Sequence, residues 1–264
     1  MTNQQTIKQE ISLEGVGIHS GQPAKVIIRP APENKGIVFF KKDIEIPAVL
    51  ASLSSTNRST SLAGLSLVEH FLSAAAGLGI DNLSVEIIGN ELPILDGSAA
   101  PYAYALKNAG IIRQLADKNF LRLPLPVRLE AGEAFLEAVP YNGFAVDFMV
   151  NFKGVGEQSF FFDDLKQDYL AEIAPARTFG YLHEHEALKK KGLGLGASLE
   201  NALVIGEKGF VNQPRFPEEL ARHKILDLIG DLALAGRPIK AKIRAVRSGH
   251  KLNIELLRRV LING

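Results

Sequence analysis

The sequence predicts an α+β protein with two domains of similar build. In each half of the chain, short stretches of strand character precede segments with helical spacing, and this order recurs after residue 118. Strand runs followed by helices are typical of α+β domains. A chain of 264 residues can form two cores of roughly 130 residues each. We therefore expect a first domain over residues 1–118 and a second over residues 119–264.

The first domain is predicted to contain four strands and two helices, separated by turns rich in Gly and Pro. The predicted strands are Ile7–Leu13, Ala24–Arg29, Ile37–Phe40 and Asn82–Ile88. The predicted helices are Leu67–Leu78, which Gly79 ends, and Pro101–Ala109, which starts with Pro and is followed by Gly110.

The second domain is predicted to begin within Lys118–Pro124, because strand-like runs resume after this segment. Its predicted strands are Phe135–Pro140, Phe144–Phe152 and Ser159–Phe162. Its predicted helices are Tyr181–Lys191, Glu218–Ala235 and Leu252–Leu261. The two domains are expected to be similar in architecture only, since no short sequence repeat is visible. The chemically active residues cluster where strands give way to helices, which favours a site between the domains.

Composition excludes several classes of protein. Lys and Arg number 30 against 29 Asp and Glu, which argues against a broad surface for nucleic acid. The absence of cysteine excludes disulfides, iron–sulfur clusters and thiolate metal sites. Any transition metal must be held by histidine and carboxylate, which suits zinc, or iron in a reducing cell. The polar start Met1–Gln5 shows no secretory signal, and Phe71–Ile80 is too short to span a bilayer, so we expect a cytoplasmic protein.

The strongest local pattern places His223, Asp227 and Asp231 at positions i, i+4 and i+8. These side chains project from one face of a helix whose other faces are apolar. A carboxylate in such surroundings needs a charge partner, and a metal ion is one way to supply it. The alternative is a His–Asp hydrogen bond on a half-exposed helix.

Two further elements carry candidate residues. Glu69 and His70 start an apolar helix and diverge by about 100° around it, so Glu69 could act on water at a metal held by His70. The alternative is a first-turn Glu favoured by the helix dipole, beside a packing histidine. His250 follows Gly249 at the start of a helix and is either catalytic or a surface histidine.

Two other segments imitate known motifs. His183 and His185 are two residues apart, whereas a zinc-protease helix needs histidines at i and i+4, so we expect a solvated face. The segment Gly192–Ala197 lacks the glycine spacing of a dinucleotide loop and is expected to be a flexible loop.

Seven motifs follow one another along nearly the whole chain, from about Ile7 to Leu261. They are Gly15–Gly21, Val68–His70, Gly89–Ser98, Ala176–Gly180, Gly196–Asn201, Arg222–Leu232 and Gly249–Asn253. Together they resemble the UDP-3-O-acyl-N-acetylglucosamine deacetylases, which catalyse the committed step of lipid A synthesis in Gram-negative bacteria. The resemblance implies two similar two-layer domains packed as a β-α-α-β sandwich. It also implies a monomer that acts on a small molecule, without inserting into a membrane.

The resemblance implies a role for each matching residue. His70, His223 and Asp227 would hold Zn²⁺, with Fe²⁺ as the other metal, and leave one position open, as in catalytic zinc sites. Glu69 would be the general base, and Thr178 would donate a hydrogen bond to the developing oxyanion.

The remaining roles concern the leaving group and substrate binding. His250 would protonate or stabilise the leaving amine, with Asp231 orienting it. Lys224 would contact the diphosphate, and Phe179 would pack against the sugar or nucleotide. The products would be acetate and the free amino sugar nucleotide.

An insert of the second domain, about residues 178–204, would form the passage for the 3-O-acyl chain. Apolar side chains that could line this passage are Ala187, Leu188, Leu193, Leu195 and Leu199. Two departures from the family are visible: the loop between Thr60 and Val68 is shorter than in many members, which is expected to change one wall of the cleft, and Arg58 stands at a variable position. Neither affects a proposed ligand or the base.

Three other functions are the alternatives to this one. One is a related zinc amidase that acts on another acylated sugar nucleotide. A second is a non-catalytic module that binds metal or nucleotide, in which Glu69 would be dispensable. A third, a phosphoryl-transfer enzyme, fits poorly because Gly192, Gly194 and Gly196 do not have phosphate-loop spacing.

Overall fold

The computed structural model describes residues 2–263 and confirms the predicted α+β class. The first half of the chain contains β1 (Asn3–Ile7), β2 (Ile11–Val16), β3 (Pro23–Pro30), β4 (Ile37–Lys41), β5 (Ile44–Pro47), β6 (Leu53–Ser55), β7 (Ser61–Leu62), α1 (Glu69–Gly77), β8 (Leu83–Ile88), α2 (Ala100–Asn108) and β9 (Ile111–Asp117). The second half contains β10 (Leu121–Arg122), β11 (Val127–Ala131), β12 (Ala134–Pro140), β13 (Phe144–Phe152), β14 (Gly156–Asp163), α3 (Tyr169–Glu172), β15 (Phe179–Tyr181), α4 (His185–Lys190), β16 (Leu203–Gly206), β17 (Gly209–Phe210), α5 (Glu219–Leu232), β18 (Ile239–Val246) and α6 (His250–Asn263).

Each half contributes one main sheet with a buried face and an exposed face. The first sheet has the order β2-β3-β8-β4-β5, and only the pair β4–β8 is parallel. Along β3, Ala24, Val26 and Ile28 are buried and their neighbours are not, as expected for a strand covered on one face. The second sheet has the path β11-β12-β18-β13-β14, with β10 paired to β18.

Helices α1 and α5 pack against each other between the two sheets, which gives the predicted sheet–helix–helix–sheet order. Phe71 of α1 contacts Phe39 of the first sheet edge-on, with ring centroids 5.7 Å apart. Arg222 of α5 lies over the ring of Phe160 in the second sheet at 3.6 Å. A helix between two layers has no solvent-facing stripe, and α5 is buried on all its faces.

The region predicted to be an insert, about residues 178–204, contains β15, a 3-10 turn, α4 and the start of β16 rather than one long helix. The prediction of a helix over Tyr181–Lys191 is wrong. Only His185–Lys190 is α-helical, and it follows a 3-10 turn at Leu182–Glu184. Tyr181 instead ends β15, where it pairs in parallel with Ile205 of β16. Pairing with a neighbouring strand overrode the local helical pattern at this end.

The insert is joined to the first half through its backbone. The amides of Leu195 and Gly196 donate hydrogen bonds to the carbonyls of His19 and Ile18, over 3.1 and 3.0 Å. A Cβ at Gly196 would lie 2.3 Å from the Gly17 carbonyl oxygen, so a side chain there would separate the two segments. The insert is thus fixed to the first half by main-chain contacts.

The other predicted elements are confirmed, but several of their ends shift by two or three residues and one predicted strand is divided. The expected strand Ile7–Leu13 is two strands, because β1 ends at Ile7 and β2 starts at Ile11. Their partners differ, since β1 pairs with β9 and β2 with β3, so the chain must turn between them. Helix α6 begins at His250 rather than at Leu252.

Gly230 lies where α5 comes closest to α1. A Cβ built at Gly230 would lie 2.1 Å from the backbone oxygen of Glu69. We expect Gly230→Ala to lower the free energy of unfolding by about 1–3 kcal/mol, as overpacking does, although Ala favours an isolated helix by about 1 kcal/mol. Urea denaturation measures the change.

Gly180→Ala is the matched control, because a Cβ at Gly180 would meet nothing within 4 Å. Its free energy of unfolding should stay within about 0.5 kcal/mol of the wild type. A Gly230→Ala protein as stable as this control would show that the two helices are not held at closest approach.

Candidate metal centre

The first turn of α1 carries Glu69 and His70 into the interior between the two main helices. Both residues are buried, with 1% and 2% of their surface exposed. The preceding Leu67 has φ of 64°, a left-handed conformation that is unusual for a bulky residue. Such backbone strain concentrates at functional sites, where the surrounding structure maintains it.

Helix α5 presents His223, Asp227 and Asp231 to the same space. The i, i+4 and i+8 spacing puts them on one face, as the sequence predicts. None of the three is more than 3% exposed. The alternative of a half-exposed helix is therefore excluded.

His70, His223 and Asp227 form one compact group of ligand atoms, which all lie within 4.8 Å of one another. Nε2 of His223 is 3.3 Å from Oδ1 of Asp227, and Nε2 of His70 is 3.9 Å from the same oxygen. The two imidazole rings meet at a centroid distance of 5.2 Å. Two imidazoles and a carboxylate are the donor set of a three-ligand catalytic metal site.

Hydrogen bonding around His223 fits such a site, whereas His70 does not show the same pattern. Nδ1 of His223 lies 3.2 Å from the carbonyl oxygen of Ala176, which leaves its Nε2 facing Asp227. A ligating histidine typically uses its other nitrogen in this way. Among residues 2–263, Nδ1 of His70 has no hydrogen-bond partner despite its burial. Burial lowers the pKa of His70 to about 3, so its imidazole is neutral and can act as a ligand.

The pKa values of two carboxyl groups in the site are shifted in opposite directions. Burial alone would raise the pKa of Asp227, but the charges of His223 and Lys224 hold it well below its usual range. Burial raises the pKa of Glu69 to about 8. Strongly perturbed ionisable groups in contact are typical of functional sites.

His250 lies beside this group and is held by Asp231. Its Nδ1 is 2.9 Å from Oδ2 of Asp231, and its Nε2 is 3.9 Å from both Glu69 Oε1 and Asp227 Oδ2. Burial disfavours the charged imidazolium, but the carboxylates of Asp231 and Asp227 outweigh it and raise the pKa of His250 to about 10. Glu69, Asp227 and His250 thus make a second close group of donor atoms.

The segment Ala176–Phe179 runs past His223 and is anchored by a buried ion pair. Arg177 donates through Nε and Nη2 to Glu219, over 2.9 and 3.1 Å, and both side chains are almost fully buried. The ring of Phe179 meets that of His223 at 5.7 Å. The predicted residue Thr178 is half-buried in this segment, and its backbone amide bonds the Gly97 carbonyl.

Lys224 lies at the same edge of the site. Its Nζ is 2.8 Å from Oδ2 of Asp227 and 5.4 Å from the centre of the Phe179 ring. Leu193 and Leu195 lie in the insert, half-buried and 49% exposed respectively. The residues expected at the metal are therefore brought together, and those expected to bind substrate lie along neighbouring segments.

Two site residues escaped the sequence analysis. Thr60 bonds both Glu69 and Asp231, and Asn253 donates to Oδ2 of Asp231 over 2.8 Å. Asn253 follows His250 by three residues in α6, so helical spacing could have revealed it. Thr60 lies in a loop without periodicity, and no local pattern identifies it.

His183 lies in the 3-10 turn before α4, and His185 is the first residue of α4. His183 is exposed, His185 is half-buried, and within the described residues neither belongs to a group that could hold a metal. Gly192 and Gly194 both have positive φ, in agreement with the expected loop. Over residues 2–263, no helix has the combined length and apolar character needed to cross a bilayer.

The chain is similar to a family model and to named proteins along nearly its whole length. The family model described as "LpxC: UDP-3-O-acyl N-acetylglycosamine deacetylase" matches residues 4–262. Proteins named UDP-3-O-acyl-N-acetylglucosamine deacetylase are 41% identical in Coxiella burnetii (strain CbuK_Q154), 41% in Pasteurella multocida (strain Pm70) and 42% in Vibrio parahaemolyticus serotype O3:K6. These similarities cover 99–100% of this chain and 90–91% of the relatives. The chain therefore belongs to the LpxC family of UDP-3-O-acyl N-acetylglycosamine deacetylases.

Proposed function

We propose that the protein hydrolyses the N-acetyl group of UDP-3-O-acyl-N-acetylglucosamine with the help of a divalent metal ion. The products are acetate and UDP-3-O-acyl-glucosamine. The observation that carries the proposal is the convergence of His70, His223 and Asp227 on one buried point, from two helices that are far apart in the sequence. The names of the relatives supply the substrate class. We assign the reaction to lipid A synthesis in the cytoplasm.

His70, His223 and Asp227 are the residues that would hold the metal. The family is metal-dependent, and this donor set suits Zn²⁺, with Fe²⁺ as the alternative. When bound, such an ion supplies Lewis acidity toward water and toward the amide carbonyl.

Glu69 acts as the general base in this proposal. Its Oε2 accepts a hydrogen bond from the backbone amide of Thr60 over 3.0 Å, which leaves Oε1 directed toward His250 at 3.9 Å. A water molecule between the two side chains could therefore lose its proton to Glu69 as it attacks the acetamide carbon. Thr178 donates a hydrogen bond to the oxyanion that forms at this carbon.

His250 completes the reaction at the leaving nitrogen. Its Nδ1 bonds Asp231, which supports a protonated ring, and its Nε2 points toward Glu69 and Asp227. Proton donation from Nε2 to the amine nitrogen breaks the C–N bond with a neutral leaving group. Asp231 fixes the ring orientation and stabilises the imidazolium.

The segments around this centre bind the substrate. The Lys224 ammonium group contacts the diphosphate, and the Phe179 ring packs against the sugar or nucleotide. Leu193 and Leu195 of the insert contact the acyl chain, supported by the 49% exposure of Leu195, which leaves apolar surface accessible.

The direct test is a deacetylation assay on the acylated nucleotide sugar. Released acetate is measured with the protein as prepared, after chelation, and after Zn²⁺ or Fe²⁺ is restored. We expect activity to be lost on chelation and to return with the metal, because the Lewis acid leaves with the ion. Acetate release that is indifferent to chelation contradicts the proposal, as does inactivity in every metal-loaded sample.

Replacement of Glu69 separates catalysis from metal binding. Glu69→Ala should retain the metal but lose about 10²-fold or more in kcat, as expected for a missing general base. Glu69→Gln should behave alike, because it keeps a hydrogen-bond acceptor without a basic carboxylate. Steady-state kinetics beside metal analysis measures both properties. Wild-type turnover in a metal-loaded variant would remove Glu69 from the mechanism.

Replacement of His223 tests the metal site itself. His223→Ala should lower the metal content of purified protein, because it removes one of three donors. The matched control is His183→Ala, whose exposed ring lies outside both donor groups. Elemental analysis of the two variants gives the comparison. Undiminished metal in folded His223→Ala, verified by circular dichroism, would refute the assignment.

A further inference from the structure

Thr60 occupies a central position between the two groups that transfer protons. It is fully buried and lies immediately before β7. Its backbone amide donates to Oε2 of Glu69 over 3.0 Å, and its hydroxyl donates to Oδ1 of Asp231 over 2.5 Å. The same hydroxyl oxygen is 3.4 Å from Nδ1 of His250. One residue thus touches the base, the acid and the carboxylate that orients the acid.

The hydroxyl of Thr60 completes the hydrogen bonding of Asp231, which is fully buried. Oδ2 of Asp231 is occupied by His250 Nδ1 at 2.9 Å and by Asn253 Nδ2 at 2.8 Å. Oδ1 receives its hydrogen bond from Thr60. Because both oxygens are engaged, the carboxylate cannot rotate freely, and the imidazole bonded to it keeps its orientation.

The backbone of Thr60 is itself fixed to the start of α1. Val68 donates its amide to the Thr60 carbonyl over 3.3 Å, and the Thr60 amide bonds the Glu69 side chain. Asp231 and His250 belong to α5 and α6, so the Thr60 hydroxyl is a side-chain link from the first half of the chain to their pair. A displacement of this link changes the distance between Glu69 and His250.

We propose that Thr60 is a positioning residue that sets the geometry between Glu69 and the His250–Asp231 pair. The inference rests on the proposed function for its kinetic consequence. Glu69 Oε1 and His250 Nε2 are 3.9 Å apart, a spacing that lets both groups reach one reacting centre. Without the hydroxyl, Asp231 would lose one of its donors, and a buried unsatisfied carboxylate oxygen would turn toward another one.

The test compares two substitutions that differ in the hydroxyl. Thr60→Val keeps the shape and the backbone amide but lacks the donor, whereas Thr60→Ser keeps the donor. In metal-loaded enzyme, we expect Thr60→Val to lower kcat about 10- to 100-fold, as displaced supporting groups do. KM should change by less than about twofold, since substrate contacts are retained. Thr60→Ser should recover most of the lost kcat.

Ser73→Ala in α1 controls for the general loss of a buried hydroxyl. Ser73 is fully buried one turn after Glu69, and its hydroxyl bonds that of Tyr169 over 2.9 Å, away from the site. We expect this variant to lose stability but to keep kcat. An equal fall in kcat for Ser73→Ala and Thr60→Val would overturn the proposal, as would wild-type kcat in folded, metal-loaded Thr60→Val.

A second readout does not depend on turnover. The Nδ1 proton of His250 can be followed by NMR in protein labelled with ¹⁵N-histidine. We expect its resonance to be retained in Thr60→Ser and to shift or exchange away in Thr60→Val, because Asp231 reorients. An unchanged resonance in Thr60→Val would refute the positioning role. If the two variants give this pattern of resonances but the wild-type protein shows no deacetylation, the proposed function is refuted and the positioning of His250 by Thr60 is supported.

Discussion

The structure depends on the close approach of α1 and α5 between the two sheets. Gly230 lets the Glu69 backbone come within the distance that any side chain would prevent. This contact places the first turn of one helix beside the middle of the other, where His223 and Asp227 face His70. Interiors are packed so tightly that a small displacement of one helix cannot be absorbed locally. The site is therefore a property of the helix pair rather than of either half alone.

Burial explains why the site has so many charge partners. Each of its carboxylates would be costly in an apolar interior without a donor or a cation. Asp227 has Lys224, Asp231 accepts from three side chains, and Glu69 accepts a backbone amide. Within the described residues, the Nδ1 atom of His70 lacks a hydrogen-bond partner. A divalent cation beside Nε2 of His70 would leave Nδ1 unpaired, but it would offset the cost of burying the Asp227 carboxylate.

Helical spacing and motif order allowed much of the fold and site to be predicted. His223, Asp227 and Asp231 lie on one face of α5, as their i, i+4, i+8 spacing predicts, because a helix fixes the relation between neighbouring turns. Long-range pairing is not encoded in this way. Tyr181 belongs to a strand because it pairs with Ile205 of β16. The loop residue Thr60 contacts Asp231 and His250, which are 171 and 190 residues away in the sequence.

The division of the donors between two halves of the chain has a consequence for biosynthesis. If His70, His223 and Asp227 hold the ion as proposed, a nascent polypeptide that has emerged only through α1 contains one of the three donors, and one imidazole would retain a divalent ion weakly. The other two donors belong to α5, more than a hundred residues later, and α5 must pack against α1 before the three donors come together. In the proposed site, metal binding would therefore follow completion of the core, and a truncated translation product would bind the ion poorly.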